Sequence, residues 1–134
     1  MSRDAWRIVF LLAGLGNLGN GLWMLADPYG WYIGLPAAVP DFGPYNEHFV
    51  RDIGCAFSAL GVLFLWGALV PAVRLPALVA ATLFSAMHAL VHVYDTARGF
   101  VPPAHWAIDT PAVYVPTLLL VALTVALARR GSRA

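Results

Sequence analysis

The sequence carries little charge: only 11% of its 134 residues are Asp, Glu, Lys or Arg, against about 25% in an ordinary soluble domain. It contains no lysine, and its eight arginines nearly balance seven acidic residues, which leaves a formal net charge of +1. Because this balance gives no basic patch for nucleic acid, we expect no nucleic-acid partner. The one cysteine, Cys55, cannot form an intrachain disulfide, and the sequence has no CxxC spacing that would bind zinc.

Apolar residues make up 60% of the chain, and the mean hydropathy is +0.73. A bilayer core about 30 Å thick needs about 20 apolar residues in a helix to cross it. Four stretches meet this requirement, at about residues 5–26, 47–70, 75–97 and 107–128. The sequence therefore predicts an all-α, polytopic membrane protein. We expect residues 1–134 to form one antiparallel four-helix transmembrane bundle with membrane lipid around it.

The placement of the arginines predicts the orientation of the chain. Six of them fall on one side of the four spans: Arg3, Arg7, Arg74, Arg129, Arg130 and Arg133. Only Arg51 and Arg98 fall on the other side, so the positive-inside rule places both termini in the cytoplasm and the protein in the cell (inner) membrane. We expect the first span to be retained as a helix, because Met24-Leu25-Ala26 is a poor signal-cleavage site.

The segments between the spans predict an outer loop, a helix end and a helix start. Residues 27–46 contain four prolines and several aromatic residues, which predicts an outer lid with its rings at headgroup level. Gly99 is suited to end the third helix. Asp109, just before Thr110 and Pro111, is expected to cap the start of the fourth helix. His105 and Trp106 are expected at the membrane interface.

Titratable residues recur at helical spacing in the second and third spans. The two stripes are His48, Asp52 and Cys55, and His88, His92 and Asp95. Each stripe has i, i+4, i+7 spacing, which places its members on one helix face. In an antiparallel pair of spans, we expect the two stripes to lie at matching depths. Ionisable side chains at membrane depth usually face the bundle interior or a cavity, and they indicate a functional site.

One interpretation of these stripes is a ligand site open to the outer side. Imidazole and carboxylate groups suit transition metals such as Cu, Zn or Fe, and two histidines from different helices can also hold haem. The expected ligands are His48, Asp52, His88 and His92. Second-shell or ion-pairing roles are expected for Arg51, Asp95, Asp109, Asn20 and Cys55.

The alternative interpretation is a satisfied polar network that fixes helix register. Arg51 would then form an ion pair with Asp95 or Asp109, Cys55 would be a small packing residue, and Asn20 would join helices by hydrogen bonds. The protein would act as an accessory or structural subunit of a larger membrane complex, or as a homo-oligomer. No catalytic motif is recognisable, so the sequence does not predict an enzyme.

Two sequence segments resemble those of a known group of proteins. His48-Phe49-Val50-Arg51-Asp52 and the segment from His88 to Asp95, followed by Asp109-Thr110-Pro111 and Pro116, resemble a group of small bacterial four-helix membrane proteins. The size and the four-span layout are also similar, in a general way, to the DoxX-like membrane proteins. The resemblance implies the fold and transfers neither a reaction nor a ligand.

Overall fold

The computed structural model describes residues 3–131, and it describes the side chains of residues 4–130. Six α-helices follow one another: α1 (Arg3–Ala26), α2 (Pro28–Gly34), α3 (Glu47–Leu69), α4 (Arg74–Ala97), α5 (His105–Asp109) and α6 (Val115–Gly131). Residues 3–131 contain no β-strand. The predicted all-α class is therefore confirmed.

Four segments are long and apolar enough to cross a membrane: Asp4–Ala26, Glu47–Leu69, Pro71–Ala97 and His105–Arg130. All four agree with the predicted spans to within four residues at either end. Large apolar side chains on these segments are exposed, among them Leu12 at 67%, Leu83 at 61% and Leu118 at 68%. Exposed apolar surface on this scale is stable in lipid and unfavourable in water, which supports a multi-pass membrane protein.

The chain divides into two compact units. Unit 1 contains Met1–Gly34 and Tyr45–Ala77, and unit 2 contains Leu35–Pro44 and Leu78–Ala134. In unit 1, α1 and α3 pack antiparallel through glycines. A Cβ added at Gly61 would lie 2.5 Å from the backbone nitrogen of Leu18, and one added at Gly54 would lie 2.9 Å from the Cβ of Met24. Small residues therefore allow these two backbones to approach closely.

In unit 2, α4 and α6 also run antiparallel, and hydroxyl groups connect them. The Oγ1 atoms of Thr82 and Thr124 lie 2.8 Å apart, and the hydroxyl of Thr117 donates to the carbonyl oxygen of Ser85 at 3.2 Å. As the residue number rises on α4 it falls on α6, so the two helices are antiparallel. The end of α4 and the whole of α5 then lie at the same end of this helix pair.

Residues 27–46, predicted as a lid, contribute to both units. α2 lies in unit 1, where the indole N–H of Trp31 donates to Oδ1 of Asn20 at 2.9 Å. The rings of Tyr29 and Tyr45 pack edge to face at 5.3 Å. The following stretch forms a short 3-10 turn at Val39–Phe42 and belongs to unit 2.

Candidate functional site

Asp109 is the centre of a polar cluster in unit 2, although no part of its side chain is exposed. Its Oδ2 lies 2.8 Å from Nδ1 of His92 on α4, and its Oδ1 lies 3.2 Å from Nδ1 of His105 on α5. A carboxylate removed from water is strongly destabilising unless it is paired and hydrogen-bonded. The two imidazoles meet this requirement, one on each carboxylate oxygen.

His105 extends the cluster to the 3-10 turn. It is fully buried, and its Nε2 lies 3.1 Å from Oδ2 of Asp41, whose side chain is 43% exposed. The four residues Asp41, His92, His105 and Asp109 are called the His/Asp network below. It joins α4, α5 and the turn, and it runs from a half-exposed carboxylate to a buried one.

Aromatic rings enclose the network. The ring of Phe42 packs edge-on against the imidazoles of His92 and His105, at centroid distances of 4.7 and 4.8 Å. The ring of His88 lies 4.5 Å from that of His92, nearly perpendicular to it. These rings cover the buried part of the network, and burial strengthens the two hydrogen bonds of Asp109 with His92 and His105.

The hydrogen bonds of the network also determine how many protons it contains. Three nitrogen-to-oxygen contacts are present, and each needs one proton. A neutral imidazole has only one N–H, which is enough for the single contact of His92. His105 contacts Asp109 through Nδ1 and Asp41 through Nε2, so it needs an N–H on both nitrogens. The fully bonded network therefore contains one proton more than two neutral histidines and two ionised carboxylates would have.

Local sequence explains why these side chains meet. His105 and Asp109 have i, i+4 spacing on α5, so they lie on one helix face. The next residues, Thr110–Tyr114, form a π-helical turn before α6 begins. Gly99, with φ of +73°, ends α4 as predicted, because this left-handed conformation favours glycine.

The predicted capping role of Asp109 is wrong. The last membrane segment begins at His105, four residues before Asp109, and the carboxylate of Asp109 makes no capping hydrogen bond. It is bonded instead to the two histidines. Proline usually marks a helix start, but here Pro111 lies within the π-helical turn, where the regular hydrogen-bond pattern is already interrupted.

The predicted ligand residues fall in different units. His88 and His92 belong to unit 2, whereas His48 and Asp52 belong to unit 1 and lie 3.4 Å apart with side chains 89% and 61% exposed. Cys55, the third member of that stripe, is also exposed. Within the part of the chain that the structure describes, no group of three or more His, Cys, Asp and Glu side chains is placed to bind a metal ion.

Four of the five residues expected in supporting roles, Arg51, Asp95, Asp109 and Asn20, have partners within their own units. Arg51 pairs with Glu47 at 3.0 Å, and Asp95 pairs with Arg98 at 2.9 Å. The sequence predicted that Arg51 pairs with Asp95 or Asp109, but the structure pairs Arg51 with Glu47 and Asp95 with Arg98 instead. Both observed pairs have i, i+4 or i, i+3 spacing, a signal that the sequence offers directly. Asn20 binds Trp31 and so fastens α2 to α1.

Sequence reasoning missed two members of the network, His105 and Asp41. The sequence predicts His105 at the membrane interface, but its side chain is fully buried and contacts two carboxylates. The i, i+4 spacing of His105 and Asp109 could have indicated one half of this arrangement. Nothing in the sequence indicates that Asp41, 64 residues away, is the other partner. Comparison of the chain with known protein families, with curated proteins and with solved structures found no match.

Proposed function

We propose that the protein is a small multi-pass membrane protein with a structural or accessory role, in which the His/Asp network stabilises the fold of unit 2. The observation that carries this proposal is the complete burial of Asp109 between two histidines. A fully bonded buried network rigidifies its surroundings and specifies one arrangement of the elements that it joins. Here those elements are α4, α5 and the turn at Val39–Phe42.

The burial of the network supports a structural role over binding of an exchangeable ligand. His105 and Asp109 have no exposed surface, and each of their four polar side-chain atoms already has a partner within the network. A ligand bound to His105 or Asp109 would have to displace one of those partners and leave it unpaired in an apolar environment, which is unfavourable.

We test the structural role by comparing Asp109→Ala with Asp95→Ala in detergent or nanodiscs. Removing one partner of a buried charge pair costs about 3–5 kcal/mol, so Asp109→Ala should lower the melting temperature strongly. Asp95 pairs with the half-exposed Arg98, and its loss should cost about 1 kcal/mol or less. Equal melting temperatures for the two variants would contradict the proposal.

The accessory role implies a partner, either a second copy of this chain or a larger membrane complex. We expect cross-linking in native membranes, followed by mild solubilisation, to yield a species larger than the 14.4 kDa monomer. Recovery of the protein as a free monomer under these conditions would argue against an accessory role. Small residues on membrane helices favour association of this kind.

The topology that we propose has both termini in the cytoplasm of a bacterial inner membrane. It is supported by the excess of arginine at one end of the predicted spans. Arg133 and the side chain of Arg3 lie outside the described residues. Reporter fusions at the C-terminus and at Gly99 test it. Cytoplasmic activity is expected for the C-terminal fusion and external activity for the Gly99 fusion, and the reverse pattern would contradict the proposed orientation.

A second candidate function is binding of a transition metal ion or haem, and one observation favours it. Asp109 orients the imidazole of His92 through Nδ1, as second-shell carboxylates do for metal-binding histidines, and the ring of His88 lies 4.5 Å from that of His92. These two histidines, both in unit 2, would be the ligands.

Elemental analysis and a visible spectrum test this candidate on protein purified without chelators or a histidine tag. Stoichiometric Cu, Zn or Fe, or a Soret band, should be present in the wild type and lost in His92→Ala. His105→Ala is the matched control, since it disrupts the network but removes no proposed ligand. Absence of metal and haem after reconstitution would leave the structural role as the function.

A further inference from the structure

A second polar site lies in unit 1. It is a cavity of about 400 Å³ lined by Asp4, Arg7, Ala68, Leu69, Pro71 and Arg74, and is called the arginine cavity below. These residues lie at the ends of three membrane-spanning segments, which begin at Asp4, end at Leu69 and begin at Pro71. The arginine cavity therefore lies where membrane spans meet a polar phase.

Arg74 is buried although no acidic side chain in the described part of the chain forms an ion pair with it. Only 7% of the residue is exposed, and no carboxylate of the described residues forms an ion pair with Arg74 or Arg7. A buried charge without a counterion is strongly unfavourable. An anion bound in the arginine cavity would compensate the buried charge of Arg74.

The guanidinium of Arg74 is also fixed in position. Its Nε donates to the carbonyl oxygen of Gly67 at 3.0 Å, and its Cζ lies 5.8 Å from the ring centroid of Phe10. These contacts use the Nε–H and one face of the group, and neither uses the two terminal nitrogens. A planar guanidinium held in this way loses little entropy when it binds the oxygens of a phosphate.

We propose that Arg7 and Arg74 form a binding site for a phosphate group in the arginine cavity, and that an anionic phospholipid supplies it. Basic pockets between membrane helices bind anionic headgroups, and three apolar residues of the lining suit the adjoining acyl chain. Asp4 also lines the cavity, so it opposes the binding of an anion and weakens the site. The proposal is independent of the His/Asp network.

The test measures retention of phosphatidylglycerol and of phosphatidylcholine by native mass spectrometry of the full chain. We expect one phosphatidylglycerol to be retained in preference to phosphatidylcholine. Arg7→Gln and Arg74→Gln should each weaken retention by about tenfold, the ratio expected for loss of one charge-assisted hydrogen bond. Asp4→Asn should strengthen retention, because it removes a charge of the same sign as the ligand.

Arg51→Gln is the matched control, because Arg51 also lies in unit 1 but is half-exposed and paired with Glu47. It should leave lipid retention unchanged. Arg7 is exposed, so its variant should fold even if Arg74→Gln does not. Stabilisation by inorganic phosphate alone, with the same dependence on Arg7 and Asp4, would support the phosphate site and identify a free anion as its source. Equal retention of both lipids, or an equal loss with Arg51→Gln, would overturn the proposal.

Discussion

Asp109 accepts a hydrogen bond from Nδ1 of His92 at 2.8 Å across 17 residues of chain, in a setting where its own side chain has no exposed surface. This contact joins α4 to the start of the last membrane segment. Because the other oxygen of Asp109 contacts His105, one carboxylate orients two imidazoles at once. Substitutions at Asp109 should therefore separate the effect of its charge from the effect of its hydrogen bonds.

Replacing Asp109 by asparagine should be much less damaging than replacing it by alanine. The amide can accept from one imidazole and donate to the other, so both contacts remain possible if His105 becomes neutral. We expect Asp109→Asn to lower the free energy of unfolding by about 1–2 kcal/mol, against about 3–5 kcal/mol for Asp109→Ala. Equilibrium unfolding in detergent measures both values, and equal losses would show that the hydrogen bonds contribute nothing.

Asp41→Asn should loosen the 3-10 turn without unfolding the protein. Asp41 is 43% exposed, so its contact with His105 is partly screened by solvent and should contribute about 1 kcal/mol or less. Hydrogen exchange should become faster at residues 38–43. The control is Asp52→Asn, which removes the exposed carboxylate near His48 and should leave exchange at this turn unchanged. Protection that persists in Asp41→Asn would mean that Phe42 alone fixes the turn.

The close packing of α1 on α3 predicts a different outcome for two glycines. A Cβ at Gly61 would lie 2.5 Å from the backbone nitrogen of Leu18, whereas a Cβ at Gly19 would have no neighbour within 4 Å. Gly61→Ala should destabilise unit 1 by about 1–3 kcal/mol through overpacking. Gly19→Ala should be neutral or stabilising by up to about 1 kcal/mol, since alanine favours helix. Thermal unfolding of the two variants compares them directly.

The hydroxyl pair between α4 and α6 should show a small, measurable coupling. The Oγ1 atoms of Thr82 and Thr124 are 2.8 Å apart, and hydrogen bonds between membrane helices contribute about 0.6 kcal/mol on average. A double-mutant cycle with Thr82→Val and Thr124→Val should give a coupling of this size. The same cycle with Thr82→Val and Thr110→Val should be additive, because Thr110 bonds to the Trp106 carbonyl of its own segment. Strict additivity in the first cycle would exclude the contact.

The sequence predicted the four spans well because length and hydropathy alone decide whether a helix can cross a membrane. It also predicted that titratable residues at depth belong to a polar cluster, and His92 and Asp109 do meet. It did not identify His105, because an apparent loop position after Pro102 and Pro103 gave no sign of burial. The cap signal at Asp109 was misleading, since the same carboxylate can serve either a helix start or a buried histidine.

Composition by itself determined that this chain has four helices long and apolar enough to cross a membrane, because each of its long segments is apolar and poor in charge. Helical spacing determined which side chains share a face. Only the tertiary structure decided which faces meet: it paired Asp41 with His105 and left His48 and Asp52 exposed on α3. The physical reason is that periodicity fixes only which face of its own helix a side chain occupies. Whether two residues 64 positions apart contact each other depends on how the turns and helix ends pack together.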